Sequence, residues 1–401
     1  MDSLTQITLG AAVGEAVLGR KVGNRAMLWG AIGGTIPDLD VFANMVTDDM
    51  SALAFHRAIT HSFAFAFIAP LLLGWLVHRL YDERKTFWAD FLKIWLFLVL
   101  LIGVGAIFMP IPPLEVGQIA LAVSAAILVF PAVVWIRRKL RKRKVKPDAT
   151  QRGWTLLFFW AIFTHPLLDA CTTYGTQLFQ PFWDYRVAFN NISVVDPLYT
   201  LPFLFFVIIV LTLNRQNRWR PVFNYIGIGV SSAYMLFTFY NKVQVDRVFE
   251  SSLRRDGIAY QRYMTSPTIF NNVLWQGVAE GDTAYYHGMY SLMDSKPEVL
   301  SFVVIPKNHH LIDGHEDDRS IRILRWFSSG YYSILERPGG QLQFNDLRFG
   351  SLGESFDRPE DFVFHFLLEE KDGVFIARES WERERDAEGA FGQLWERIKG
   401  K

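Results

Sequence analysis

Between residues 34 and 62 the chain sets ionisable side chains directly ahead of an apolar run. No other feature limits its possible folds as strongly. The stretch reads Gly34-Thr-Ile-Pro-Asp-Leu-Asp40, then fifteen residues, then His56-Arg-Ala-Ile-Thr-His-Ser62. A run long enough to cross a bilayer begins there, Ser62 to His78. Charged and imidazole groups at the mouth of a membrane helix are costly, and they usually serve a purpose. Aspartate and histidine together form the ligand chemistry of zinc or a similar divalent ion.

The two parts of the chain differ in composition. Residues 1–245 carry 22 Lys and Arg against 14 Asp and Glu, a net charge of +8. Residues 246–401 carry 19 against 26, a net of −7. Nearly all long apolar runs lie in the first part: 62–78, 92–109, 116–136, 154–171, 197–213 and 222–241. Its basic excess sits in the loops between them, above all Arg137 to Lys146, which signals topology rather than nucleic-acid binding. If the spans alternate, these basic loops lie on the cytoplasmic side and everything after residue 241 lies outside. The first residues, Met-Asp-Ser-Leu-Thr-Gln, lack the basic flank of a removable signal peptide. Cys171 is the single cysteine, so neither an internal disulfide nor a cysteine-based zinc site is expected.

The expected fold is a polytopic α-helical membrane domain, residues 1–245, followed by a mostly β soluble domain with a terminal helix, residues 246–401. Residues 4–19 and 26–36 predict two short helices, a re-entrant or tilted pair. Gly10 and Gly14 on the first suit close helix packing. Strands are expected at 299–305, 320–327, 331–335, 341–349 and 361–368, with turns at Pro338-Gly-Gly340 and Asp372-Gly373. A closing surface helix is expected over 379–399.

A second chemical cluster is Thr164-His-Pro-Leu-Leu-Asp169. Four residues apart on a helix, His165 and Asp169 differ by about 40° in azimuth and can grip one metal ion. Pro166 is expected to kink the span. His56 and His61, five apart, diverge by about 140° on a regular helix and cannot both be ligands from one straight helix. Asp38 and Asp40 follow Pro37, in an extended or turn segment where residues two apart face the same way. The topology reading brings Asp38, Asp40, His56, His61, His165 and Asp169 to one side of the membrane. Six such ligands would serve one or two divalent ions, zinc by donor type, with manganese as the alternative. Asp196 maps to the same side, where on its own it reads as a helix cap. Singly, each of the six also has a structural reading, as a cap, an ion-pair partner or a satisfied histidine. Glu15, inside the first helix, is either paired or functional. His309, His310 and His315, beside Glu316, Asp317 and Asp318, read as a polar loop.

Four pieces of this sequence resemble a known family, the bacterial membrane-bound metal-dependent hydrolases of the inner membrane. They are Met1-Asp-Ser-Leu-Thr-Gln through Glu15, Gly34-Thr-Ile-Pro-Asp-Leu-Asp40, Phe55-His-Arg-Ala-Ile-Thr-His-Ser62, and Thr164-His-Pro-Leu-Leu-Asp169 with Thr173-Tyr-Gly175. The β-rich tail resembles the C-terminal extension of the longer members. The resemblance implies a multi-pass inner-membrane enzyme. The hydrolase expectation adds a phosphoester or lipid-linked substrate at the outer face of the membrane. In that reading Arg57 holds a substrate anion, Glu15 or Asp196 orients a water, and membrane lipid is the immediate surrounding. Two alternatives stand beside it. One is a non-enzymatic assembly protein with a structural metal and a protein partner for the C-terminal domain. The other is a transporter.

Overall fold

Glycine spacing dictates the first structural unit. The computed structural model describes residues 1–45, 47–81, 148–351, 356, 358–380 and 387–400. Helix α1 (Ser3–Val22) starts at Asp2, whose side chain accepts from Thr5 N. A single residue, Gly23 at φ 62°, joins it to α2 (Asn24–Thr35). Gly10 and Gly14 face Gly30 and Gly34 so closely that a Cβ at any of the four would strike the opposing backbone. Small residues four apart on both helices let the backbones touch, as the Gly10 and Gly14 spacing predicts.

A 3-10 helix (Pro37–Met45), α3 (Asp49–Phe55) and a 3-10 turn (Ile59–His61) lead into α4 (Phe63–Tyr81). Helix α5 (Gln151–Asp169) is the centre of this unit. Trp154, Leu157, Phe158 and Ile162 repeat at helical spacing and are fully buried. They pack against Leu18 and Ala26 of the helix pair and Ala66, Ala69 and Val77 of α4. Trp154 stacks on Tyr81 at a ring distance of 5.7 Å. The helix continues through Pro166 to Asp169. Then come α6 (Pro197–Thr212) and the 37-residue α7 (Trp219–Arg255).

Among the described residues, two helices are long and apolar enough to cross a membrane, α4 and α7. Helix α6 is apolar but shorter. The expected spans 92–109 and 116–136, and the basic run 137–146, lie outside the described residues.

The chain divides into two compact units. One holds residues 1–170, 174–188 and 198–233; the other holds 171–173, 189–197 and 234–401. The second unit has two four-stranded antiparallel sheets, each in sequential order. The first contains β1 (Arg262–Pro267), β2 (Leu274–Glu280), β3 (Ala284–Ser291) and β4 (Val303–Pro306). The other contains β5 (Tyr332–Glu336), β6 (Leu342–Asp346), β7 (His365–Lys371) and β8 (Val374–Glu379). Asp372 and Gly373, both at positive φ, turn β7 into β8.

One expected strand is a helix. Residues 320–327 fall within α8 (Arg319–Phe327). Ile321, Leu324 and Phe327 are buried, while Arg322 and Arg325 are exposed. The sequence satisfies both periods, and burial of Ser320, Ile321, Ile323, Leu324 and Phe327 along one helical face decides for the helix. The closing helix, α9, runs Ala387–Ile398.

Candidate metal centre

Four donor atoms converge in the first unit. Asp38, His61, His165 and Asp169 each offer one ligand atom, all within 4.8 Å of one another. The α5 spacing of four sets His165 Nε2 and Asp169 Oδ2 3.3 Å apart, as the azimuth argument requires. The 3-10 turn at Ile59–His61 brings His61 Nε2 to 3.1 Å from His165 Nε2 and 3.3 Å from Asp169 Oδ2. Asp38 Oδ1 lies 3.4 Å from His61 Nε2 and 3.3 Å from His165 Nε2. The side chains of His61, His165 and Asp169 are fully buried, and that of Asp38 is 18 % exposed.

The other ring nitrogens fix the tautomers. His165 Nδ1 lies 2.6 Å from the Gly34 carbonyl, which can only accept, so Nδ1 carries the proton. His61 Nδ1 lies 3.2 Å from the Asp40 carboxylate, also an acceptor. With both Nδ1 atoms protonated, two neutral imidazoles point bare lone pairs at each other and at two carboxylate oxygens. Four acceptors at such distances repel unless a cation sits among them. Without a metal ion, a proton takes that role. Burial pushes the His61 imidazolium down, but the Asp40 charge and contacts with Asp169 and Asp38 carry its pKa up to about 10. Burial also opposes ionisation of Asp38, yet the His165 and His61 rings beside it, when one carries the extra proton, hold the carboxyl well below its usual range.

The spacing fits a metal as well. Ligands about 2.0–2.1 Å from a tetrahedral ion lie roughly 3.3–3.4 Å from one another. Five of the six edges run from 3.1 to 3.4 Å, and all four atoms lie within 4.8 Å of one another.

Asp40 and His56 lie outside this four-atom group. The 3-10 helix turns Asp38 and Asp40 to different sides, where an extended segment would align them. Asp40, 4 % exposed, backs the centre. It pairs with His56 Nδ1 at 2.8 Å, accepts from Arg57 N at 2.8 Å and Thr60 Oγ1 at 3.2 Å, and holds His61 Nδ1. Burial works against its charge, but His61 and His56 keep its carboxyl far below the ordinary range. Burial lowers the His56 pKa despite its bond to Asp40. A carboxylate behind a ligating histidine fixes ring orientation and basicity.

Arg57 adopts a left-handed backbone at φ 58°, strain of a kind that clusters at functional sites. Its Nε lies 3.4 Å from Asp169 Oδ2, and its guanidinium sits 4.9 Å from the centre of the Tyr174 ring. Arg186, which the motif reading missed, lies 4.8 Å from the same ring and donates to the His56 carbonyl at 3.2 Å. Its only sequence signal is an arginine set in the aromatic stretch Phe182-Trp-Asp-Tyr-Arg186. Gln6 of α1, also missed, donates to Asp169 Oδ1 at 3.0 Å. The Met1 amino group contacts that same oxygen.

Glu15 stands apart from the donor group. Both its oxygens receive Arg220, each at 2.7 Å, with both side chains almost fully buried. Asp196 accepts from Tyr234 at 3.0 Å in the second unit. His309 and His315 bond to the Tyr332 carbonyl and to Asp318, respectively.

The family model described as YdjM inner membrane protein matches residues 1–109 and 119–245, more than half of the chain. No curated protein and no solved structure matches it.

Proposed function

This chain belongs to the YdjM inner membrane protein family, and from that premise we propose that it is a membrane-bound metal-dependent hydrolase of a phosphoester or lipid-linked substrate. The observation that carries the reading is the acceptor cage: two imidazole Nε2 atoms 3.1 Å apart with two carboxylate oxygens about them. Asp38, His61, His165 and Asp169 would hold the ion. The two-nitrogen, two-oxygen donor set favours zinc over manganese. Such an ion supplies Lewis acidity and a water acidic enough to attack at neutral pH.

The chain's own residues do the rest. Asp40 orients His61 through Nδ1, and the Gly34 carbonyl orients His165. Arg57, which reaches Asp169, shares the Tyr174 ring with Arg186, and two guanidinium groups so placed would match a phosphate-type anion. Asp38, the exposed member of the four, marks the side open to substrate. Arg220 occupies both oxygens of Glu15, so Glu15 takes no part in this chemistry. The basic loops favour a site at the outer face, with the C-terminal domain on the same side.

One observation favours the second reading, a structural metal. Four protein ligands fill a tetrahedral shell, whereas catalytic zinc keeps a position open. Metal content of purified protein tests the centre itself. Wild type is expected to hold one ion per chain, and His61→Ala and Asp169→Ala little or none; full metal in both variants removes the site. Chelation then separates the readings. A hydrolase loses activity on phosphoester or lipid-linked substrates yet stays folded, while a structural site unfolds.

A further inference from the structure

The second unit carries a cleft of about 500 Å³ of a different character. It opens where β1, β2 and β4 end near α8 and β5. Arg262, Lys307, Arg322 and Arg325 line it with a single carboxylate, Glu280. The stretch 246–401 is acidic overall, with 19 basic residues against 26 acidic. Four cations around one carboxylate therefore run against its composition.

Glu280 is already shared. Arg262 Nε meets one of its oxygens at 2.6 Å and Lys307 Nζ the other at 2.8 Å. Arg262 is further fixed by the Ser329 carbonyl at 2.8 Å and by the Tyr331 ring at 4.1 Å. Arg322 and Arg325 are three apart on the exposed face of α8 and have no carboxylate partner among the described residues. Trp326 and Tyr332 complete the wall. His309 stacks on Tyr332 at 4.0 Å and donates through Nε2 to the Tyr332 carbonyl, which leaves Nδ1 as a further polar atom at the rim. A cleft lined by one sign of charge focuses its field on counter-ions. Paired guanidinium groups offer several N–H donors in a geometry that matches the oxygens of a phosphate.

We propose that this cleft is an anion site for a phosphate-bearing ligand of at least two negative charges, with Arg322 and Arg325 as its main contacts. None of its residues belongs to the metal centre, so it stands or falls separately. The test is calorimetric titration of the full chain in a neutral detergent with two probes. One is inorganic pyrophosphate; the other is dihexanoyl phosphatidic acid below its micelle concentration. One equivalent of at least one probe is expected to bind. Affinity should fall roughly tenfold in the Arg322→Ala/Arg325→Ala double variant, with the melting temperature unchanged because both side chains are exposed. Wild type and variant keep the same metal centre, so the difference between them reads the cleft alone. Tighter pyrophosphate binding identifies a soluble phosphate ligand, and tighter phosphatidate binding a lipid headgroup. Equal affinity in wild type and variant, or no binding of either probe at about 1 mM, overturns the proposal.

Discussion

Two buried charge clusters of the helical unit are treated in opposite ways. Glu15 and Arg220 form a closed account of one anion and one cation, bidentate and with no exposed face. Asp38, His61, His165 and Asp169 bring four acceptors together; Arg57 and the Met1 amino group reach Asp169, and the space between the two imidazole Nε2 atoms is left to an ion or a proton. Both arrangements cost desolvation; Arg220 neutralises Glu15 in full, whereas Arg57 and the Met1 amino group offset part of the second cluster and a ligand or a proton supplies the rest. A buried charge is thus read by counting its partners rather than by its burial.

Substitution of Glu15 probes that contrast with the largest effect. Glu15→Ala or Arg220→Ala leaves its partner buried and uncompensated, and about 3–5 kcal/mol of stability should be lost. Metal content per folded chain should not change. A denaturation midpoint together with elemental analysis checks both, and a loss of metal in Glu15→Ala would merge the two clusters into one.

Asp40→Asn comes next. It keeps the size of the side chain but weakens the support behind His61. Metal affinity should fall roughly 10- to 100-fold while stoichiometry at saturating metal is retained. Competition against a chelator of known affinity measures this.

The smallest effect is a pH dependence confined to the acceptor cage. The His61 pKa is raised to about 10 in the metal-free protein, so the ion must displace a proton there at neutral pH. Metal affinity should rise with pH, by up to about tenfold per unit, and level off near pH 10. The metal-free protein has the opposite trend. A raised imidazole pKa stabilises fully below about pH 6.5, and that contribution is lost as pH rises through 10. Melting curves with and without zinc across this range should diverge toward high pH. A parallel pair would show that His61 is not a ligand.

Local periodicity made part of the centre legible. His165 and Asp169 meet because four residues make one helical turn, and no distant partner is needed to say so. Asp38 and Asp40 were harder. Their spacing of two aligns them in an extended segment, but Pro37–Met45 folds as a 3-10 helix and gives them different duties. Glu15 could be recognised as paired or functional, yet its partner lies 205 residues away, in the first turn of α7 shortly after Arg215 and Arg218. Residues 320–327 satisfy both a strand and a helix pattern, and only burial of Ile321, Leu324 and Phe327 separates them. Four strands of the tail, β1, β2, β3 and β8, escaped because pairing across the sheet decides such short segments, and the sequence does not display it.

The touching backbones of α1 and α2 reach further than helix packing. Gly34, pressed against α1, offers its carbonyl to His165 Nδ1, while Gln6 on the facing helix holds Asp169. The separation of two helices therefore works as a mechanical gauge. Widening it by one methyl group would loosen the grip on both α5 ligands together.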